Sequence, residues 1–180
     1  MKKFKLITTI TCAFLMLLSI SVSAQNFKGL DKSPMDAASF PSDYKVSDKL
    51  IKIVYSRPQL NGREVSALAK NGEVWRTGAN EAAELTLYTD MKLGDTSIKT
   101  GVYTFYTIPG DKEWTVIISK DLNVWGSYFY NESNDVARLS VPVASGDSLE
   151  AFSIAFEEAE GGVYMHVGWE TTRIAVPFTK

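Results

Sequence analysis

Between Asn71 and Ala82 the chain reads NGEVWRTGANEA, and no other window of that length gathers as many side chains suited to recognition. Arg76 carries five N–H donors in a planar fork that grips a carboxylate or phosphate with two bonds. Trp75 offers a flat apolar face on which a sugar or other ring stacks. Glu73 and Glu81 supply acceptors and Asn80 an amide, while Gly72 and Gly78 permit backbone angles closed to other residues. Arg57 and Arg63 lie just upstream, each beside a turn residue, and reach the same region if the first strand neighbours the loop. The chemistry of this set is non-covalent binding of a small polar or anionic ligand such as a saccharide or a peptide carboxylate. The candidate ligand-binding residues are Arg57, Arg63, Glu73, Trp75, Arg76, Asn80 and Glu81. The same residues also admit a purely structural reading. Glutamates and arginines so close together can neutralise one another while Trp75 plugs one end of the fold, because an unpaired buried charge costs several kcal/mol.

Reactive constellations are scarce. No G-x-S-x-G elbow, P-loop, G-x-G-x-x-G, H-E-x-x-H or EF-hand loop occurs. His166 is the single histidine, so a multi-histidine metal site is impossible, and its strand places it on the polar face opposite Val163, Met165, Val167 and Trp169. A glycoside hydrolase built on two of Glu73, Glu81 and Glu84 needs carboxyl groups about 5–10 Å apart across an open cleft. Carboxylates beside arginines stay ionised and make poor general acids, so a hydrolase using these glutamates or His166 ranks last. No catalytic residue, metal ligand or cofactor is assigned, and the reading leans away from an enzyme.

The compartment follows from the first 24 residues. Lys2, Lys3 and Lys5 precede an apolar run from Leu6 to Ile20, and Val22-Ser23-Ala24 gives small residues before Gln25. That is the pattern of a secretory signal peptide, which places the mature chain in the periplasm or outside the cell. The apolar run is broken by threonines and falls short of the roughly 20 residues of a membrane span, so no stable membrane insertion is expected after its removal. Cys12, the only cysteine, leaves with the signal, and disulfides, thiolate zinc sites and cysteine nucleophiles go with it. Without the three signal lysines, 16 basic residues face 21 acidic ones, a balance of about −5 that attracts neither nucleic acid nor anionic membrane. A second class of partner, an envelope protein, is suggested by Trp125, Tyr128 and Tyr130, aromatic residues in a segment with no strand period.

The elements that must hold the loop alternate with period two. Ile51, Ile53 and Tyr55 form one face of a first strand that stops at Ser56-Arg57-Pro58, where proline withdraws a ladder donor. Leu85 and Leu87 lie in a second strand, short strands surround Met91 and Ile98, and residues 101–108 pair with Trp114, Val116 and Ile118 across the turn Pro109-Gly110-Asp111. Ala137 to Val143 holds Pro142 and reads as an edge strand; Phe152 to Phe156, Val163 to Trp169 and Ile174 to Phe178 follow. Ser66 to Lys70 allows one helical turn at most. Eight or nine short strands with no long helical period predict an all-β fold, an antiparallel β-sandwich, with a barrel as the alternative. The expected organisation is a signal peptide over residues 1–24, an extended arm over 25–45 and one β-sandwich domain over 46–180. About 156 mature residues suffice for a core without disulfides.

Several stretches together resemble a known family: YSRP at Tyr55–Pro58, NGR at Asn61–Arg63, GEVWRTGANEA at Gly72–Ala82, GVYTFYTIPG at Gly101–Gly110, EWTVI at Glu113–Ile117 and the dipeptide Trp125-Gly126. They are similar to a family of exported bacterial proteins known only as a domain of unknown function, and the match covers nearly all of the mature chain. The resemblance implies an all-β domain outside the cytoplasm with no assigned activity, cofactor or catalytic residue. One departure is the approach to the loop, Ala67-Leu68-Ala69-Lys70-Asn71, where the family more often has a proline.

Overall fold

The computed structural model describes residues 26–180, so the signal peptide expected over residues 1–24 lies outside the described residues. Residues 26–31 carry no secondary structure, and a compact unit runs from Lys32 to Lys180. It is an antiparallel β-sandwich, not closed into a barrel. The larger sheet contains β1 (Met35–Phe40), β2 (Ile51–Ser56), β3 (Ala83–Leu87), β6 (Gly101–Ile108), β7 (Glu113–Ser119) and β8 (Asp135–Pro142), in the order β1-β2-β3-β6-β7-β8. The smaller has the order β5-β4-β10-β9, from β4 (Met91–Leu93), β5 (Thr96–Ile98), β9 (Ala144–Ala159) and β10 (Gly162–Thr179).

The alternating apolar residues meet between these layers. Ile51, Ile53, Leu85, Leu87, Phe105, Val116 and Ile118 of the larger sheet pack on Met91, Leu93, Phe152, Val163, Met165, Val176 and Phe178 of the smaller, and all are buried. The only α-helix among the described residues, α1 (Val65–Leu68), is a single turn where residues 66–70 allowed one. Pro142 does end an edge strand.

One boundary needs correction. The arm expected over residues 25–45 contains β1, which pairs along its full length with β2 from Met35 opposite Ser56 to Phe40 opposite Ile51. The domain therefore begins well before residue 46. No sustained alternation marks β1 because it is an outer strand whose first three residues are exposed, and only Ala38 and Phe40 pack against the core.

The last strand folds back on itself. Eighteen extended residues would span roughly 60 Å, yet the amide of Lys180 donates to the carbonyl of Gly161 at 2.9 Å and Gly162 lies against Phe178 and Thr179. The reversal falls at Glu170, whose φ of 48° is left-handed. Core side chains at odd positions before it (Val163, Met165, Val167, Trp169) accordingly give way to even ones after it (Ile174, Val176, Phe178). These are the two runs that the sequence separates.

Residues 150–154 of β9 are covered from the side. The amide of Leu60 donates to the carbonyl of Glu150 and that of Phe152 to Pro58, each within 3.0 Å. Beyond them Tyr55 inserts its hydroxyl, accepting from the amide of Ile154 at 2.9 Å. Burial pushes the Tyr55 phenol above its ordinary pKa, which keeps the hydroxyl protonated.

Candidate functional site

The 71–82 segment is laced to its surroundings by backbone bonds. Trp75 exchanges both of its backbone bonds with Thr107, at 2.7 and 3.0 Å, and the amide of Gly72 donates to Pro109. On the other side Ala82 donates to Val124, Gly126 donates to Asn80, and the Ser127 hydroxyl donates to the Val74 carbonyl. The loop is thus held between the end of β6 and the 124–127 segment. Two non-glycine residues in it are left-handed, Thr77 with φ of 54° and Asn80 with φ of 61°. For a β-branched residue that geometry is strained. Thr77 keeps it because its hydroxyl is bound, buried, to Thr107 Oγ1 at 3.0 Å and to the Trp75 carbonyl at 3.3 Å. Gly78 is required where it stands, since a Cβ there would sit 2.9 Å from the carbonyl oxygen of Ser56.

This lacing turns the two neighbours Trp75 and Arg76 in opposite directions. Trp75 enters the core, 6% exposed. Its indole stacks on Trp169 with centroids 5.6 Å apart and meets Trp114 and Phe152 edge-on at 6.1 and 5.1 Å. The structural plug is therefore its position, and its faces are taken by other rings. Arg76 points outward and half-buried. Its guanidinium makes one long bond, Nε to the Gly78 carbonyl at 3.4 Å. No carboxylate among the described residues comes within ion-pair distance of it.

The other arginines are differently placed. Arg57 uses all three nitrogens on protein acceptors: the Phe152 carbonyl, Asp36 and the Ser153 hydroxyl, at 3.0, 3.0 and 2.8 Å. Arg63 closes its own turn on the carbonyls of Leu60 and Gln59. Arg138 binds Asp135 and Tyr130, and Arg173 binds the carbonyls of Glu170, Thr172 and Asp147.

Two hollows share Arg76, Trp75 and Leu68. One, of about 210 Å³, is bounded by Lys70, Glu73, Ser127 and Tyr128. The other, of about 170 Å³, is bounded by Arg63, Pro58, Ala79 and Trp169. Of the predicted set the structure thus brings together Arg63, Glu73, Trp75 and Arg76. Glu73 reaches only Lys70, at 3.5 Å with both side chains exposed, so the pair is weak. Arg57 and Asn80 line neither hollow. Glu81 lies elsewhere, sharing a hollow of about 250 Å³ with Glu84, Thr104 and Asn123, so Glu73 and Glu81 do not face one cleft.

Lys70, Ser127 and Tyr128 join the site although the sequence reading left them out of it. Tyr128 appeared there only as an interface aromatic, and its signal as a site residue was the Trp125-Gly126 pair. Gly126 has φ of 68°, and a Cβ on it would come within 2.7 Å of the Tyr128 ring and 3.2 Å of Arg76 Nη1. Its bareness lets ring and guanidinium converge. Trp125, Tyr128 and Phe129 are exposed by 56%, 74% and 86%. Tyr130 faces inward, edge-on to Tyr106 at 5.3 Å, and donates to Asp135 Oδ2 at 2.6 Å. Burial and then the Asp135 bond push its phenol up to about 12. It anchors the segment that presents the other three.

His166 lies on the outer face, as its alternation predicts, with Nε2 2.8 Å from Glu157 Oε2. Among the described residues no group of three or more His, Cys, Asp or Glu side chains is arranged to hold a metal ion, and no helix is long and apolar enough to cross a membrane. What the arrangement can do chemically is bind an anion through Arg76 beside an exposed ring. Neither a curated protein nor a solved structure matches the chain. A family profile, described as a protein of unknown function (DUF2911), matches residues 33–178, essentially the whole sandwich, and the chain belongs to that family.

Proposed function

We propose that this protein is an exported binding module that holds a small polar or anionic ligand on the 71–82 loop, with the ligand's carboxylate or phosphate on Arg76. The observation that carries the reading is the contrast among five arginines: four spend two or more nitrogens on the protein, and Arg76 makes one long bond beside two open hollows. A guanidinium with its fork unoccupied and partly desolvated is the group best suited to bidentate capture of an oxyanion. Lys70 and Arg63 add positive charge nearby in an otherwise acidic chain, which favours anions in encounter.

Thermal-shift and calorimetric titration with a panel of carboxylates and glycans tests this. A compound that binds at Arg76 should stabilise the wild type, and Arg76→Ala should weaken it about 10- to 100-fold, the worth of a hydrogen bond to a charged group. The variant itself should melt within a degree or two of wild type, because only one long bond is lost. If no compound stabilises the wild type, or Arg76→Ala responds equally, the assignment fails.

Export is supported by the basic start, apolar run and small-residue exit of residues 1–24. Sequencing the mature N-terminus after expression of the full chain should give Gln25. Recovery of the intact Met1 form from the cytoplasm would refute it.

A further inference from the structure

We infer that the ligand is an acidic oligosaccharide, a chain of uronate-type sugars laid across Arg76 with one ring in each hollow; this rests on the Arg76 reading above and narrows it. The two hollows share Leu68, Trp75 and Arg76 among their lining residues, and of these Arg76 carries the charged group. Each is smaller than the roughly 300–1,000 Å³ that encloses an ordinary small-molecule ligand. A compact molecule would use one and leave the other bare, whereas a short chain of rings occupies both and passes its acid group over the guanidinium between them.

The side chains suit flat rings. Tyr128 presents its ring at the first hollow, 74% exposed and converging with Arg76 over Gly126. Arg63 stands at the second with Nη1 beyond its bonds to Leu60 and Gln59, and Lys70 at the first, where a ligand carboxylate would compete with the exposed Glu73. Phenolic rings stack on the apolar face of a pyranose while their hydroxyls stay wet.

The backbone argues against an extended peptide. A peptide captured by strand addition needs a row of free amides and carbonyls. Here the rim is already paired: Trp75 with Thr107, the Arg76 carbonyl with Ala83, the Val74 carbonyl with Ser127, and Gly126 with Asn80. Recognition must come from side chains and ring faces.

The test is calorimetric titration of the wild type, Arg76→Ala and Tyr128→Ala with galacturonate, its trimer, a neutral galactose trimer, an acidic tripeptide and succinate. The acidic trimer should bind at least tenfold tighter than the monomer and than the neutral trimer. Arg76→Ala should abolish the preference for acidic over neutral sugar, and Tyr128→Ala, a change on an exposed side chain, should weaken the trimer about tenfold. The inference is overturned if monomer and trimer bind alike, if the neutral trimer matches the acidic one, or if the tripeptide binds as tightly as the sugar. Binding of succinate through Arg76 with no binding of any sugar removes the saccharide and leaves the anion site standing. Failure of every anion removes both.

Discussion

Trp75→Ala is expected to lower the unfolding free energy by about 3–5 kcal/mol, the range for removing a buried large aromatic side chain. The side chain lies inside a ring of aromatics contributed by distant parts of the chain: Trp114 on β7, Phe152 on β9 and Trp169 on β10. Their own packing fixes them, Phe152 and Trp169 also meeting edge-on at 5.8 Å, so they cannot collapse into the space left behind. The backbone exchange between Trp75 and Thr107 joins the loop to β6, and losing the indole should loosen Arg76 as well. Equilibrium urea unfolding, with near-ultraviolet circular dichroism as probe, measures the effect. A loss below about 1 kcal/mol would mean that the ring is dispensable to the core.

Gly162→Ala should cost roughly 3 kcal/mol or more, at the upper end of overpacking changes, because the obstacle is backbone that cannot rotate away. An added methyl group would collide with the Phe178 carbonyl and lie 2.8 Å from the Thr179 Cα, where the two arms of β10 run side by side. The adjacent Gly161 supplies the control. It has φ of 73° but open space around it, so Gly161→Ala should cost only about 1–2 kcal/mol, the strain of a left-handed L-residue. Equal losses at the two positions in thermal or urea unfolding would contradict the doubling-back of the strand at Glu170.

Most of the sheet framework was legible because burial on one face leaves an alternating signature. Ile51-Ile53-Tyr55, Leu85-Leu87 and Trp114-Val116-Ile118 all occupy core positions. β1 was not legible, since only Ala38 and Phe40 of this outer strand reach the core and two residues make too short a run to show a period. The site was legible only in part. Arg57 and Arg63 look like ligand-binding groups in the sequence, but Arg63 ends on two main-chain carbonyls, which no sequence pattern marks. Arg57 ends on one such carbonyl and on Asp36 and Ser153, which are distant along the chain. The inward turn of Trp75 depends on three rings 39 to 94 positions away along the chain. Tyr128 meets Arg76 across Gly126, and beyond the Trp125-Gly126 pair nothing in the local sequence marks the convergence of the two segments.

The side-on cover of β9 bears on how copies of this molecule meet. An uncovered outermost strand is a template on which a second chain can continue the sheet. From Glu150 to Ile154 that template is occupied, by residues 58–60, the Arg57 guanidinium and the Tyr55 hydroxyl. Where the cover ends, the chain continues Ala155-Phe156-Glu157-Glu158-Ala159, and two copies aligned there would bring carboxylates against carboxylates. At this edge of the smaller sheet, continuation by a second copy is opposed first by occupancy and then by repulsion between like charges.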